Sequence, residues 1–270
     1  MQPSTRIILF VIDGLRPDAL QQAYTPEIDE LIARGSFTLR ARSVEPSITL
    51  PCHVSMFFGV PPTRHGVLDN VWLSPPSPTQ SLFEVAHRAN LTTAAFYSWE
   101  PLRDLAPPGT LDMAYFRRYD SPQGDAEMEI AIAAAEYVAR ERPALTFVYL
   151  GATDEIAHDH GWMSEAYLRA VSRADGIVGL VLRSSRISGN VADTVCLLTA
   201  DHGGHDFGHS AGEPADLTIP WLVSGPGIRQ GHQIASSISI VDTAPTVAHV
   251  LGLPIPPQWT GKAVTEILIR

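Results

Sequence analysis

Three aspartates each follow an apolar run of strand length at widely separated points of the chain: Asp13, Asp154 and Asp201. In an open parallel sheet the carboxyl ends of the strands lie along one edge, where ligands bind. Each aspartate alone is also typical of a turn or of a helix cap. Three carboxylates crowded at one edge would repel one another unless a cation lay among them. Together they therefore predict a cation site.

Histidines are concentrated in the same part of the chain. Five of the ten lie between positions 158 and 209: His158, His160, His202, His205 and His209. Asp154 and His158 are one helical turn apart and would share a helix face. Asp201 and His202 are adjacent at a strand end, and His209 follows in a loop containing glycine. Carboxylate and neutral imidazole are ligands of zinc and manganese, which predicts two divalent ions, zinc or alternatively manganese.

Two of these histidines have no assigned role. His160 and His205 are expected to be bystanders, and His205 is the alternative ligand if the loop does not bring His209 to the site.

A hydroxyl for nucleophilic chemistry lies upstream, at Thr49. It precedes the apolar segment Val54–Gly59, and Pro51 favours a helix start at this point. A hydroxyl or a bound anion at a helix N-terminus gains from free backbone donors and the helix dipole. The position suits a metal-activated nucleophile. It equally suits an N-capping threonine.

Continuous apolar runs predict the strands that position these side chains. The predicted strands are Arg6–Ile12, Phe37–Ser43, Thr93–Ser98, Leu145–Leu150, Thr194–Thr199 and Ile219–Val223. An uninterrupted apolar run is typical of a strand covered on both faces.

Helical patterns alternate with these runs. We expect a helix capped by Thr25 and ended by Gly35, and a helix over Ser81–Asn90 with a Ser81/Glu84 capping box. Further helices are predicted over Asp125–Arg142, over Ser164–Arg183 and after Asp242. The alternation predicts an α/β fold with a largely parallel central sheet between helical layers, and one domain over residues 1–270.

The composition excludes several function classes. The 270 residues carry 29 acidic and 19 basic side chains, and a formal charge of −10 argues against binding a nucleic-acid duplex. No apolar run is long enough to span a membrane, and Ile7–Ile12 is too short for a signal peptide. A cytoplasmic protein without membrane contact is therefore expected. Cys52 and Cys196 form no zinc-site spacing, and the sequence leaves the oligomeric state open.

In combination, these residues resemble the metal-binding pattern of the alkaline phosphatase superfamily, and within it the nucleotide pyrophosphatase/phosphodiesterase branch. The similar segments run from Ile7 to Gly227. They are Phe10-Val11-Ile12-Asp13-Gly14, the threonine segment, Arg64-His65-Gly66-Val67 with Asp69-Asn70, Ile219-Pro220-Trp221 and Gly225-Pro226-Gly227. The resemblance implies an alkaline-phosphatase-like fold.

The resemblance also implies roles for individual residues. One ion would be held by Asp13, Asp201, His202 and the Thr49 hydroxyl, and the other by Asp154, His158 and His209. Thr49 would be the nucleophile, and Asn70 would donate to a phosphoryl oxygen. Without the resemblance, Asn70 is typical of a turn after Asp69.

The implied function is hydrolysis of a small-molecule phosphate ester through a phospho-threonine, as a phosphodiesterase or nucleotide pyrophosphatase. Leu50 and Cys52 replace the aromatic and asparagine that are common in this branch, and His53 replaces the arginine of the sulfatase motif. A phosphomonoesterase or a phosphonoacetate-hydrolase-like enzyme is the alternative, and a metal-binding scaffold or sensor without turnover is the non-enzymatic one. No lysine or arginine directly follows Thr49, which favours diesters.

Overall fold

The computed structural model describes residues 5–74, 79–119, 126–187 and 193–269. Within them, eight strands form one sheet in the order β4-β3-β5-β1-β6-β7-β2-β8. The strands are β1 (Arg6–Ile12), β2 (Gly35–Arg42), β3 (Thr93–Tyr97), β4 (Met113–Phe116), β5 (Leu145–Leu150), β6 (Thr194–Thr199), β7 (Thr218–Ser224) and β8 (His232–Gln233).

The sheet is parallel except around β7. Strand β1 lies at the centre, parallel to β5 and β6, with Ile7 opposite Leu145 and Val195. Strands β3, β4 and β5 are parallel, as are β2 and β8. Strand β7 is antiparallel to both β6 and β2. The predicted largely parallel sheet is confirmed, and β5, β1 and β6 end at the same edge.

Helices flank this sheet in two packed groups. The helices are α1 (Pro26–Arg34), α2 (Thr49–Phe58), α3 (Pro62–His65), α4 (Leu82–Arg88), α5 (Ala126–Glu141), α6 (Ala152–His160), α7 (Glu165–Ile187), α8 (Pro214–Leu217) and α9 (Thr243–Val250). One group consists of α1, α5, α6 and α7, and the other contains α2, α4 and α9. None of the helices in the described ranges combines the length and apolar character needed to cross a membrane.

The predicted elements match these bounds closely. All six predicted strands are present, whereas β4 and β8 were not predicted. The Ser81/Glu84 capping box is confirmed, and the predicted helix start at Asp125 lies outside the described residues. Thr25 and Gly35 flank α1 as predicted, but the Thr25 side chain makes no capping bond. Helix α1 is capped across the core instead, where Asp175 accepts the backbone N–H of Ile28 at 2.8 Å.

Candidate active site

The three aspartates lie at the edge where β5, β1 and β6 end. Asp13 directly follows β1, Asp154 lies in the first turn of α6 just after β5, and Asp201 follows β6 by one residue. All three are buried. Strands β1 and β5, which precede Asp13 and Asp154, are more than a hundred residues apart in the sequence. The sheet topology therefore places the carboxylates together.

Thr49 reaches the same edge as the first residue of α2. The N-cap is Ile48, with no side-chain capping bond, so the capping interpretation of Thr49 is wrong. The loop before α2 is hydrogen-bonded to the site, because the Ser43 hydroxyl donates to the backbone carbonyl of Asp201. Thr49 is buried, and its Oγ1 lies 3.4 Å from His202 Nε2.

A first group of potential ligand atoms surrounds His202 Nε2. Asp13 Oδ1 lies 3.2 Å from this nitrogen and Asp201 Oδ2 lies 3.4 Å from it. Tetrahedral coordination with bonds of about 2.0–2.1 Å separates neighbouring ligand atoms by roughly 3.3 Å. The three distances that join His202 Nε2 to Asp13, Asp201 and Thr49 match that separation.

A second group surrounds Asp154. Its Oδ2 lies 3.3 Å from His158 Nε2, and its Oδ1 lies 3.9 Å from His209 Nε2. Ligand atoms of Asp154 also lie within 4.8 Å of those of Asp13 and His202, so Asp154 lies within reach of both groups. The rings of His202 and His209 stack with centroids 3.8 Å apart. The two groups form one continuous cluster.

All three histidines of the cluster have one nitrogen bound to a backbone carbonyl. Nδ1 of His158 donates to Phe207 O at 2.9 Å, and Nδ1 of His202 donates to Gly203 O at 2.9 Å. Nδ1 of His209 donates to Ser47 O at 2.6 Å. A carbonyl can only accept, so each Nδ1 carries a hydrogen and each Nε2 is turned into the cluster. This arrangement is usual for metal-binding histidines.

The carboxylates retain oxygen atoms without a protein partner. Asp13 Oδ1, Asp154 Oδ1 and Asp201 Oδ2 are buried and accept no hydrogen bond. Burying a polar atom without a partner costs free energy, and such atoms are rare in folded proteins. Three unpartnered carboxylate oxygens beside three imidazole Nε2 atoms are the donor set of divalent zinc or manganese. The residues present therefore fit two metal ions.

The same crowding shifts the pKa values of the acidic groups. Burial, and then the neighbouring charges of Asp201 and Asp154, raise the pKa of Asp13 well above its ordinary value. Burial and the charge of Asp154 raise the pKa of Asp201 to about 8. For Asp154, burial also acts upward, but the hydrogen bond from His158 and the nearby histidines outweigh it and lower the pKa. Bound cations would keep all three carboxylates ionised.

Their surroundings also shift the pKa values of the histidines, in opposite directions for His158 and His209. The hydrogen bond to Asp154 raises the pKa of His158 to about 9. Burial lowers the pKa of His209 to about 4, with a contribution from His202. The His158 side chain is 41% exposed, whereas His202 is fully buried. The cluster therefore opens to solvent on the His158 side.

Asn70 is anchored beside the start of α2. Its Oδ1 accepts the backbone N–H of Leu50 at 3.0 Å. Because an N–H can only donate, the bond fixes the amide orientation and leaves the Asn70 NH₂ group free to donate. The residue is otherwise exposed. It can supply a neutral donor next to Thr49.

A sequence model of the type I phosphodiesterase / nucleotide pyrophosphatase family matches residues 7–213. The chain belongs to this family. It is 25% identical over 215 residues to ectonucleotide pyrophosphatase/phosphodiesterase family member 1 of Rattus norvegicus, covering 73% of this chain and 24% of that protein. It is 24% identical over 312 residues to GPI ethanolamine phosphate transferase 1 of Mus musculus, covering 96% of this chain and 32% of that protein. The chain thus spans about a quarter to a third of these relatives.

A solved structure extends the likeness to the whole fold. An inactive form of murine ectonucleotide pyrophosphatase/phosphodiesterase 5, in complex with AMP, superposes with a TM-score of 0.82 at 14% identity. The superposition covers 98% of this chain and 100% of that chain. The predicted alkaline-phosphatase-like fold is confirmed.

In this family member the loop after β6 brings His209, and not His205, to the cluster. His205 Nδ1 donates to Asp216 Oδ1 at 2.7 Å and belongs to neither ligand group. His160 is exposed at the end of α6 and is also outside both groups. Both histidines occupy the bystander positions expected from the sequence.

Sequence reasoning missed the side chains that support the cluster. The Tyr149 hydroxyl donates to Asp13 Oδ2, and the buried His53 lies with Nδ1 3.5 Å from Asp201 Oδ2. Trp162 Nε1 donates to the Gly14 carbonyl at 3.0 Å. One signal was present in the sequence: a tyrosine near the end of an otherwise apolar strand must find a partner for its hydroxyl.

Proposed function

We propose that the chain is a two-metal phosphodiesterase that acts on small phosphodiesters through a phospho-threonine at Thr49. The observation that carries the proposal is the convergence of Thr49, three aspartates and three histidines, with unpartnered oxygens and Nε2 atoms facing one another. Membership of the type I phosphodiesterase family supports the same chemistry.

The proposed ligand sets follow the two groups of atoms. Asp13, Asp201, His202 and the Thr49 hydroxyl would hold one ion, and Asp154, His158 and His209 would hold the other. Zinc is the proposed ion and manganese the alternative, because both accept mixed imidazole and carboxylate ligands. When bound, the ions would lower the pKa of the Thr49 hydroxyl and act as Lewis acids toward the phosphoryl oxygens.

The remaining steps fall to the chain's own residues. Thr49 Oγ1 loses its proton to solvent and forms a bond to phosphorus, while the bond from phosphorus to the leaving alkoxide breaks. The Asn70 amide donates to a phosphoryl oxygen as charge develops on it. Water then attacks phosphorus, which releases a phosphate monoester and restores the Thr49 hydroxyl.

The charges around the cluster support a diester rather than a monoester. Among the described residues, every ion-pair partner of Asp13, Asp154 and Asp201 is a histidine. Arg42 and Arg64 are exposed. A phosphomonoester dianion carries one more negative charge than a diester, and this site offers it no arginine or lysine. The small net charge of a diester suits such a site.

The test compares kcat/KM for bis-p-nitrophenyl phosphate and p-nitrophenyl phosphate with zinc-loaded protein. We expect a diester preference above about tenfold, or ~1.4 kcal/mol in transition-state binding. A tenfold monoester preference would overturn the diesterase assignment. Binding of two ions without turnover of phosphodiester, phosphomonoester, phosphonate or sulfate would show a metal-binding scaffold instead.

A further inference from the structure

The two oxygens of Asp13 have different surroundings. Oδ2 accepts the hydroxyl of Tyr149. Oδ1 accepts no hydrogen bond and lies 3.2 Å from His202 Nε2. One oxygen is thus held by the protein while the other faces the cluster.

Asp201 shows the same division, but the backbone produces it. Its Oδ1 accepts the N–H groups of Gly14 at 3.2 Å and of His202 at 2.9 Å, while Oδ2 is unpartnered. Asp13 differs because a side chain, that of Tyr149, donates the hydrogen bond to its Oδ2. This support can therefore be removed by substitution.

The Tyr149 ring has little room to move. The ring of His53 packs edge-on against it, with centroids 5.3 Å apart at 69°. On another side lies Gly151, where an added Cβ would come within 3.0 Å of the Tyr149 hydroxyl. Gly151 has no positive φ, so a larger residue here would crowd the Tyr149 ring rather than strain the backbone. The phenol oxygen is held at Asp13.

We propose that Tyr149 is a positioning residue that fixes Asp13 so that only Oδ1 is offered to a metal ion. The inference rests on the metal sites of the proposed function. A hydrogen bond from a hydroxyl to a carboxylate is among the stronger kinds. Removing such a partner of a metal ligand typically weakens metal binding by about 10–100-fold.

The test uses Tyr149→Phe, which removes only the hydroxyl, with Tyr167→Phe as the matched control. Tyr167 is also fully buried, but its hydroxyl donates to Gly14 O at 2.9 Å and accepts the Arg16 N–H at 3.0 Å, so its hydrogen bonds go to the backbone and not to a carboxylate. Metal-free proteins are titrated with zinc in competition with a chromogenic chelator, and urea unfolding is measured in parallel.

We expect Tyr149→Phe to bind one of two zinc ions about 10–100-fold more weakly, and Tyr167→Phe to bind both with unchanged Kd. Zinc activation of Tyr149→Phe should need a correspondingly higher concentration, with kcat largely recovered at saturation. Metal-free stability should fall to a similar extent in both variants.

Wild-type affinity in Tyr149→Phe, or an equal loss of affinity in both variants, would show a packing role and overturn the proposal. A wild-type protein that binds no ion would overturn this proposal and the proposed function together. A wild-type protein that binds zinc but cleaves no phosphate ester would contradict the proposed function only.

Discussion

The three histidines of the cluster are oriented by backbone carbonyls, at Phe207, Gly203 and Ser47. Substitution of neighbouring side chains leaves such partners in place. The Nε2 atoms therefore already face the cluster, and little rearrangement of the rings should accompany metal binding.

The first prediction concerns the Thr49 hydroxyl. Thr49→Ala should lower diesterase kcat by at least about a thousandfold, while Thr49→Ser should retain activity because it keeps the hydroxyl. Because Thr49 makes no capping bond, the free energy of unfolding should fall by less than the ~2 kcal/mol that loss of a strong N-cap can cost. Zinc content and urea unfolding serve as controls. Near-normal turnover of Thr49→Ala would exclude Thr49 as the nucleophile.

A second prediction separates Asn70 from its neighbour. Asn70→Ala should lower kcat by about 10²–10³-fold, as for loss of an oxyanion donor, with both ions retained. Asp69→Ala is the matched control, since Asp69 only accepts the backbone N–H of Asn70 at 2.7 Å. We expect it to keep zinc and most of its activity. Equal losses in the two variants would assign the effect to the loop rather than to the amide.

The types and spacing of the site residues could be predicted from the sequence because they follow recognisable strands. Their supports could not. Tyr149 and His53 lie within apolar segments, and their partners Asp13 and Asp201 are distant in sequence. A contact between such residues depends on which elements are neighbours in the fold, and local pattern does not determine that.

At the scale of elements, one carboxylate makes three hydrogen bonds to the loop from Gly203 to Glu213. Asp216 is fully buried, with Oδ1 accepting from His205 and Oδ2 accepting the N–H groups of Ala211 and Glu213. This loop carries His209. The placement of one ligand therefore depends on a residue that does not touch the cluster.

Asp216→Ala should consequently destabilise the fold by about 2–4 kcal/mol, because it removes three hydrogen bonds to a buried carboxylate. We also expect zinc content to fall from two ions toward one. His205→Ala, which removes one of these bonds, should cost about 1 kcal/mol and retain both ions. Urea unfolding and elemental analysis provide the measurements. A zinc loss in His205→Ala equal to that in Asp216→Ala would point to His205 as a ligand.

The strands were predictable where they are buried on both faces. Strand β1 was predicted with its observed bounds because its apolar residues are continuous. Strand β4 lies at the sheet edge with alternate side chains exposed, and β8 has only two residues, so neither produces an apolar run. The reversed direction of β7 has no local signature, because it depends on pairing with β6 and β2.

At the scale of the whole molecule, a chain of formal charge −10 concentrates three buried carboxylates at one sheet edge. Divalent ions offset that local repulsion. The effect of metal on stability should thus exceed that of any single surface ion pair. The expected cytoplasmic location and single-domain organisation stay predictions from the sequence.

The fourth prediction is that metal stabilises the protein more at pH 8.5 than at pH 6. Without metal, Asp201 and His158 have pKa values raised to about 8 and about 9. A pKa raised on folding stabilises the folded state below the unfolded pKa, and this contribution is lost as the pH rises through the folded value. The metal-free protein should thus weaken toward pH 8.5. At pH 6, zinc must also displace these protons.

Thermal unfolding with zinc and with a chelator, at both pH values, measures this difference. The gap in Tm should widen at the higher pH. An equal gap at pH 6 and 8.5 would contradict proton competition at Asp201 and His158.

The shared position of Asp154 has a consequence for how the protein responds to metal supply. Asp154 reaches both groups of ligand atoms, and His202 and His209 stack face to face between them. The first ion to bind would displace protons from carboxylate and imidazole groups that border the second site, so the two binding equilibria should be linked. We expect occupancy to rise over a narrower range of free zinc than for independent sites, with few singly loaded molecules between the empty and the fully loaded protein.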